Sequence, residues 1–156
     1  MVPGDRLICA FVQPLAVGNT FPHWPLHVTV VPWFRLGDHT DQIVRGLTEA
    51  LHPIAPFTAT ADKQTMLGPR QNRPAMLLHK PTPFQVIEQR VRTYFHKKRA
   101  WLVDETTKVR RAYRPHVTCQ GNEQLHPGET FGCDRLYVIE QFGDKKAVVG
   151  EIVLTS

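Results

Sequence analysis

The tripeptide His-Val-Thr occurs twice in this chain, at His27-Val28-Thr29 and about ninety residues later at His116-Val117-Thr118. Each copy follows a proline-containing run and is followed by another strand-favouring residue, Val30 or Cys119. In an extended strand residues i and i+2 share a face, so His27 and Thr29 project together while Val28 and Val30 project the other way. The same holds for His116 and Thr118 against Val117 and Cys119. The fold must therefore hold two strands that are apolar behind and carry an imidazole and a hydroxyl in front. Two copies of one short polar motif are expected to be two halves of one active site.

The rest of the chain supplies strands and helices around them. Residues 6–12 form a compact strand candidate and 26–34 a second, which carries the first motif. The period then changes: Asp38 can cap a helix with Asp41 in its first turn, and Ile43, Val44, Leu47, Ala50 and Leu51 recur at helical spacing until His52-Pro53. Residues 57–66 alternate as a strand, 68–74 are rich in turn residues, and 75–79 return as its hairpin partner. Thr82-Pro83-Phe84-Gln85 reads as a helix start, with Thr82 as cap and Gln85 completing a capping box, and Phe84, Ile87, Val91, Tyr94 and Phe95 form the apolar stripe. Residues 104–111 are polar and predicted to be a loop. The second motif strand spans 113–120, and a final hairpin pairs 131–141 with 145–154 around Gly143-Asp144.

Each half thus offers one helix and several strands. The expected fold is α+β, a single bilobal domain over 1–156. Its two pseudo-symmetric lobes of antiparallel strands, with flanking helices, would face across a central cleft carrying both motifs.

The charge balance points to the ligand. Lys and Arg number 19 against 14 Asp and Glu, a net +5, and the excess concentrates in Lys97-Lys98-Arg99 and in Lys108, Arg110, Arg111 and Arg114, just before the second motif. A basic cluster is most often a solvated face, but beside a candidate phosphate site its potential concentrates a polyanion. The expected partner is an anion, with RNA or a nucleotide foremost. Cys9, Cys119 and Cys133 match neither a zinc spacing nor a disulfide framework, which fits a reducing compartment. The amino-terminal run does not read as a secretory signal, and no stretch approaches the length of a membrane span. A cytoplasmic monomer with no membrane partner is the expectation.

Other histidines carry less. His23 and His27 stand four apart, a metal spacing on a helix, but Pro22 and Pro25 oppose a helix there. His39, His52, His79, His96 and His126 show no comparable repetition and read as structural or exposed. No metal and no cofactor is expected. Trp33 and Phe34 follow the first motif and Tyr113 lies beside the second; each is either core or a ring for stacking on a base.

Two histidines and two threonines suit phosphodiester chemistry. Opening a cyclic phosphate requires a proton to leave the attacking water or hydroxyl while another reaches the departing ribose oxygen, on opposite sides of phosphorus. Two imidazoles can do both, because each titrates near neutrality. Thr29 and Thr118 would donate hydrogen bonds to the non-bridging oxygens.

The paired motifs His27-Val28-Thr29-Val30 and His116-Val117-Thr118-Cys119, with Arg114-Pro115 before the second, resemble those of the 2H phosphoesterases, the superfamily of 2′-5′ RNA ligases and RNA 2′,3′-cyclic phosphodiesterases. The resemblance implies a two-histidine catalyst, with His27, Thr29, His116 and Thr118 in the reaction, acting on an RNA or nucleotide bearing a cyclic phosphate or a 2′-5′ linkage. Many relatives carry an arginine just beyond the second motif, whereas Gln120-Gly121-Asn122 stands here. Arg114, Arg111 and Arg35 are the candidates to replace it, with Tyr113 and Trp33 as further substrate contacts. The alternatives are a non-catalytic RNA- or nucleotide-binding protein with the same cleft, and a metal-dependent hydrolase built from scattered His and Asp residues.

Overall fold

The six residues of β1 (Arg6–Phe11) are all buried, because both faces of this strand are covered. Ile8 and Ala10 join one apolar cluster; Leu7, Cys9 and Phe11 join a second on the opposite face. That double burial marks β1 as an interior strand of the sheet. The computed structural model describes residues 2–103 and 112–156. The expected loop at 104–111, and with it Lys108, Arg110 and Arg111, lies outside the described residues.

Among the described residues there are ten strands and two helices. After β1 come β2 (Thr20–Phe21), β3 (His27–Arg35), α1 (Thr40–Leu51), β4 (Phe57–Leu67), β5 (Arg73–His79) and α2 (Thr82–Lys98). They are followed by β6 (Trp101–Leu102), β7 (His116–Thr118), β8 (Thr130–Cys133), β9 (Arg135–Phe142) and β10 (Lys145–Val153). One antiparallel sheet runs in the order β2-β10-β9-β1-β3-β7-β5-β4-β8, and β6 pairs with β3 beside this path. The fold is α+β, as expected from the alternation of periods. Its two halves, β2-β10-β9-β1-β3 and β7-β5-β4-β8, meet where β3 pairs with β7.

Both helices cover one face. Ile43, Leu47 and Leu51 of α1 and Phe84, Ile87, Val91 and Phe95 of α2 enter the main cluster, together with Val28 and Phe34 from one half of the sheet and Ala59, Met76, Leu78 and Val117 from the other. Close approach fixes α1: a Cβ on Gly46 would stand 2.5 Å from the Tyr94 ring of α2, and one on Gly150 of β10 would stand 2.8 Å from Val44. The motif valines thus anchor both central strands in the core shared with the helices, which leaves the motif histidines on the other face.

Several boundaries differ from the sequence expectation. The predicted strand 131–141 is two strands, β8 on β4 and β9 between β1 and β10. Phe131 and Cys133 face the main cluster at odd positions, Leu136 and Val138 at even ones, so the alternation slips phase at Asp134-Arg135 where the chain crosses the sheet. The second motif strand is only three residues long because Pro115 has no N–H to donate to a ladder. The α1 cap is His39 rather than Asp38: Gln42 Oε1 accepts the His39 N–H at 2.8 Å, while the Asp38 carboxylate holds Lys98 at 3.3 Å. Thr82 lies in the first turn of α2, whose cap is Pro81, and the Gln85 amide donates at 3.3 Å to the Tyr113 carbonyl instead of closing a capping box. The two-residue strands β2 and β6 are too short for any periodicity to reveal.

Candidate active site

The register of β3 on β7 pairs Val28 with Val117. In an antiparallel pair this sets His27 opposite Thr118 and Thr29 opposite His116, so a local twofold axis between the valines exchanges the two motifs. All four polar side chains share the face away from the helices. Directly opposed Cβ atoms in such a pair lie about 5 Å apart and diagonal ones about 7–8 Å. The diagonal is the His27–His116 distance, wide enough for one tetrahedral group between the ring tips.

Both rings are held in the same way. His27 Nδ1 lies 2.8 Å from the Pro25 carbonyl oxygen and His116 Nδ1 lies 2.8 Å from that of Arg114. A carbonyl only accepts, so in each ring Nδ1 carries the proton and Nε2 is the nitrogen left to exchange one. In each case the carbonyl belongs to the residue two before the histidine, so the twofold extends to the support of the rings.

The surroundings of the two rings are unequal. Trp24 stacks on His27 with centroids 4.3 Å apart and planes inclined by 29°, and Phe11 meets its edge at 6.3 Å. The Lys146 ammonium lies 5.7 Å from the Trp24 centroid. No described aromatic ring packs on His116 in this way. Burial lowers the His27 pKa below the ordinary imidazole value, the Pro25 carbonyl opposes that shift, and the nearby His116 adds to it. Beneath Thr29, Cys9 pairs across from β1, and burial pushes its thiol well up, so it is no nucleophile.

A family model described as the 2′-5′ RNA ligase superfamily matches residues 6–144. The chain belongs to that superfamily. No curated protein sequence matches it. Among solved structures it is similar to one described as a phosphoesterase, with a TM-score of 0.60 and 14% identity, the match covering 99% of this chain and 100% of that one. It is also similar to LigT of E. coli complexed with 3′-AMP, with a TM-score of 0.59 and 14% identity over 99% and 100% of the two chains. LigT has also been crystallised with NADP+ and with ATP. A Thermus thermophilus protein, TT0787, gives a TM-score of 0.56 and 14% identity over 96% of this chain and 97% of that one. At such identities the likeness speaks for the fold.

Against the superfamily pattern, the arginine candidates fall in different places. Arg35 lies on the same face of β3 as the motif; register shifts against β1 set Thr29 opposite Cys9 but Phe34 opposite Arg6, so Arg35 stands about 13 Å beyond Thr29 at 3.3 Å per β1 residue. There its Nε donates to Asp5 Oδ1 at 2.6 Å and its guanidinium lies 4.5 Å from the Trp101 centroid. Both engagements hold it at Asp5 and Trp101, away from the motifs. Arg114 is exposed and meets the motif through its backbone carbonyl, and Arg111 lies outside the described residues.

The aromatic candidates also divide. The Tyr113 hydroxyl donates at 2.7 Å to the Thr29 carbonyl, and the ring packs against the main cluster. Burial, aided by Glu88, raises its pKa, so it stays a phenol. This corrects the expectation of a substrate contact: Tyr113 ties the segment before β7 to the backbone of β3. Trp33 is buried in the second cluster, 6.3 Å from Trp24, and is not free to stack on a base. Sequence reasoning missed Trp24, because nothing in a proline-rich connection announces that residue i−3 will fold back on the imidazole.

Beside the His27–Thr118 side of the pair, a groove of about 700 Å³ opens between Trp24 and Pro25 on one wall and Gln120 and Asn122 on the other. Its polar side chains are those of His23, Gln120, Asn122 and Glu123, so it offers amides, an imidazole and one carboxylate rather than a cluster of fixed cations.

Proposed function

We propose that this member of the 2′-5′ RNA ligase superfamily is a metal-independent phosphoesterase that hydrolyses RNA 2′,3′-cyclic phosphate ends to 2′-phosphates, or makes and breaks 2′-5′ phosphodiester linkages. The supporting observation is the Val28–Val117 register, which sets two identically tethered imidazoles diagonally across one strand pair with a threonine opposite each.

In the hydrolytic direction water attacks phosphorus and the bond from phosphorus to the ribose 3′ oxygen breaks. One Nε2 accepts the proton of the water and the other donates to the 3′ oxygen, leaving a 2′-phosphate. Burial under Trp24 favours neutral His27, which suits it to accept the proton, and His116 then supplies the other. Thr29 and Thr118 donate to the non-bridging oxygens as charge builds on them. Ligation is the reverse, with a ribose hydroxyl in place of water. The groove beside His27 is sized for a ribose and base, in keeping with the nucleotide complexes of LigT.

The test is to incubate the protein, with chelator present, with a short RNA ending in a 2′,3′-cyclic phosphate, alongside His27→Ala and His116→Ala, and to identify the terminal phosphate. A 2′-phosphate formed only when both histidines are present supports the mechanism. Turnover abolished by the chelator points to a metal-dependent hydrolase, and binding without turnover points to a non-catalytic RNA-binding protein.

A further inference from the structure

We propose that Trp101, backed by Arg35, is a stacking site for an unpaired base of single-stranded RNA whose end occupies the two-histidine site; this rests on the phosphoesterase proposal and extends it to a polynucleotide substrate.

Trp101 is 58% exposed, a rare state for so large an apolar ring. It is also held in place. In β6 it pairs across from Arg35, whose guanidinium lies 4.5 Å from the indole centroid. Arg35 is in turn fixed by two hydrogen bonds to Asp5, at 2.6 and 3.2 Å, and the Asp5 carboxylate is almost wholly buried and also accepts the Val2 N–H at 2.8 Å. A carboxylate, a guanidinium and an indole thus form a layered support, and a guanidinium on an indole is a favourable cation–π pair that leaves the outer part of the ring to solvent.

Its position links it to the motifs. The side chains of His27, Thr29, Trp33 and Arg35 share one face of β3, as the clustering of Trp33 with Phe11 and Cys9 shows, and Trp101 continues that face through its pairing with Arg35. The distance from Thr29, about 13 Å by strand rise along the paired β1, corresponds to about four nucleotides at the 3.4 Å rise of a stacked strand. The local charge suits a phosphate backbone. Arg35, Lys98 and Arg99 line one shallow hollow of about 610 Å³ with Trp101. Asp5 and Asp38 balance Arg35 and Lys98, while Arg99 has no ion-pair partner among the described residues. Exposed aromatic rings interleaved with cations are how single strands are held without reading their sequence. A mononucleotide at the histidines cannot reach this site; a longer RNA can.

The experiment compares kcat/KM for a mononucleoside 2′,3′-cyclic phosphate with that for an eight-nucleotide RNA carrying the same end, in wild type, Trp101→Ala and Trp101→Tyr. The wild type is expected to prefer the longer substrate. Trp101→Ala should reduce that preference about 5- to 150-fold, the size of one base stacked on an aromatic side chain, and Trp101→Tyr should restore most of it. A wild type indifferent to length, or a preference that survives Trp101→Ala, overturns the site. If neither substrate turns over, the phosphoesterase proposal fails. The site is then judged by anisotropy of the labelled eight-mer bearing a 2′-phosphate: equal affinity in wild type and Trp101→Ala rejects it, and loss restored by tyrosine supports it.

Discussion

The two His-Val-Thr copies share a sequence, a strand face and the tether of each Nδ1 to the carbonyl two residues back, yet they sit in unlike surroundings. The first lies on the nine-residue β3, flanked by β1 and roofed by Trp24. The second lies on the three-residue β7, between β3 and β5, without an aromatic roof among the described residues. A local twofold makes the halves alike in what each can donate or accept. Their supports differ, and under Trp24 burial favours the neutral form of His27.

The largest effects should come from the histidines themselves. His27→Ala and His116→Ala are each expected to lower kcat/KM on a cyclic phosphate by about 10² to 10⁴, and the double variant should fall little further, because one proton transfer is of little use without the other. Single-turnover rates with circular dichroism as a folding control measure this. If either single variant keeps wild-type rate, the two copies are not partners and the second reading, a binding protein, gains. Next in size are the threonines: Thr29→Ala and Thr118→Ala should each cost about 10², the loss of one donor to a developing oxyanion, and mainly in kcat. A change confined to KM would instead assign them to ground-state binding.

Trp24→Ala sharpens the comparison by making the copies more alike. Without the ring, His27 is better solvated and its pKa should rise toward the ordinary value, seen directly in the imidazole resonances of an NMR titration. With His27 as the proton acceptor, the acid limb of the kcat/KM profile moves to higher pH in the variant. Stability follows the same sign. The depressed folded pKa means the unfolded chain binds more protons just below pH 6.5, so the wild type loses stability as pH falls from there through the folded pKa. Trp24→Ala should flatten that dependence, and denaturant midpoints at a series of pH values report it. An unmoved titration would mean that the ring does not set the proton affinity of His27.

Much of this arrangement was legible from residues alone, and the part that was not has specific causes. The repeated tripeptide gave the four polar residues and their shared face, because period two is a local property of a strand. Which strand pairs with which is not local. That β3 and β7 are neighbours, in the register that opposes each histidine to a threonine, depends on how β4 and β5 fold back from β8, and no spacing within either motif encodes it. The 131–141 segment shows the same limit, since its alternation looked continuous until burial revealed the phase slip at Asp134. For the arginine and tyrosine candidates, nearness in sequence is a weak guide to nearness in space. Arg35 is carried along β3 to Asp5 and Trp101, about four β1 residues beyond the partner of Thr29. For Tyr113 the chain turns its ring into the core.

Tyr113 offers the smallest predicted effect and a direct probe of how the two copies are kept in register. Its hydroxyl reaches from the segment before β7 to the Thr29 carbonyl at 2.7 Å, joining the approach to one motif to the backbone of the other. Tyr113→Phe keeps the ring and removes one hydrogen bond, leaving a partly buried carbonyl short of a donor, so it should cost about 1 kcal/mol in a denaturant titration. Because the Val28–Val117 pair and the apolar packing behind it remain, turnover should fall less than for any change named above. A loss as large as that of a threonine variant, with stability barely altered, would show that the hydroxyl sets the relative position of the two strands and that the apolar seam alone does not. A loss of stability with turnover intact would assign the register to the paired valines and their neighbours in the core.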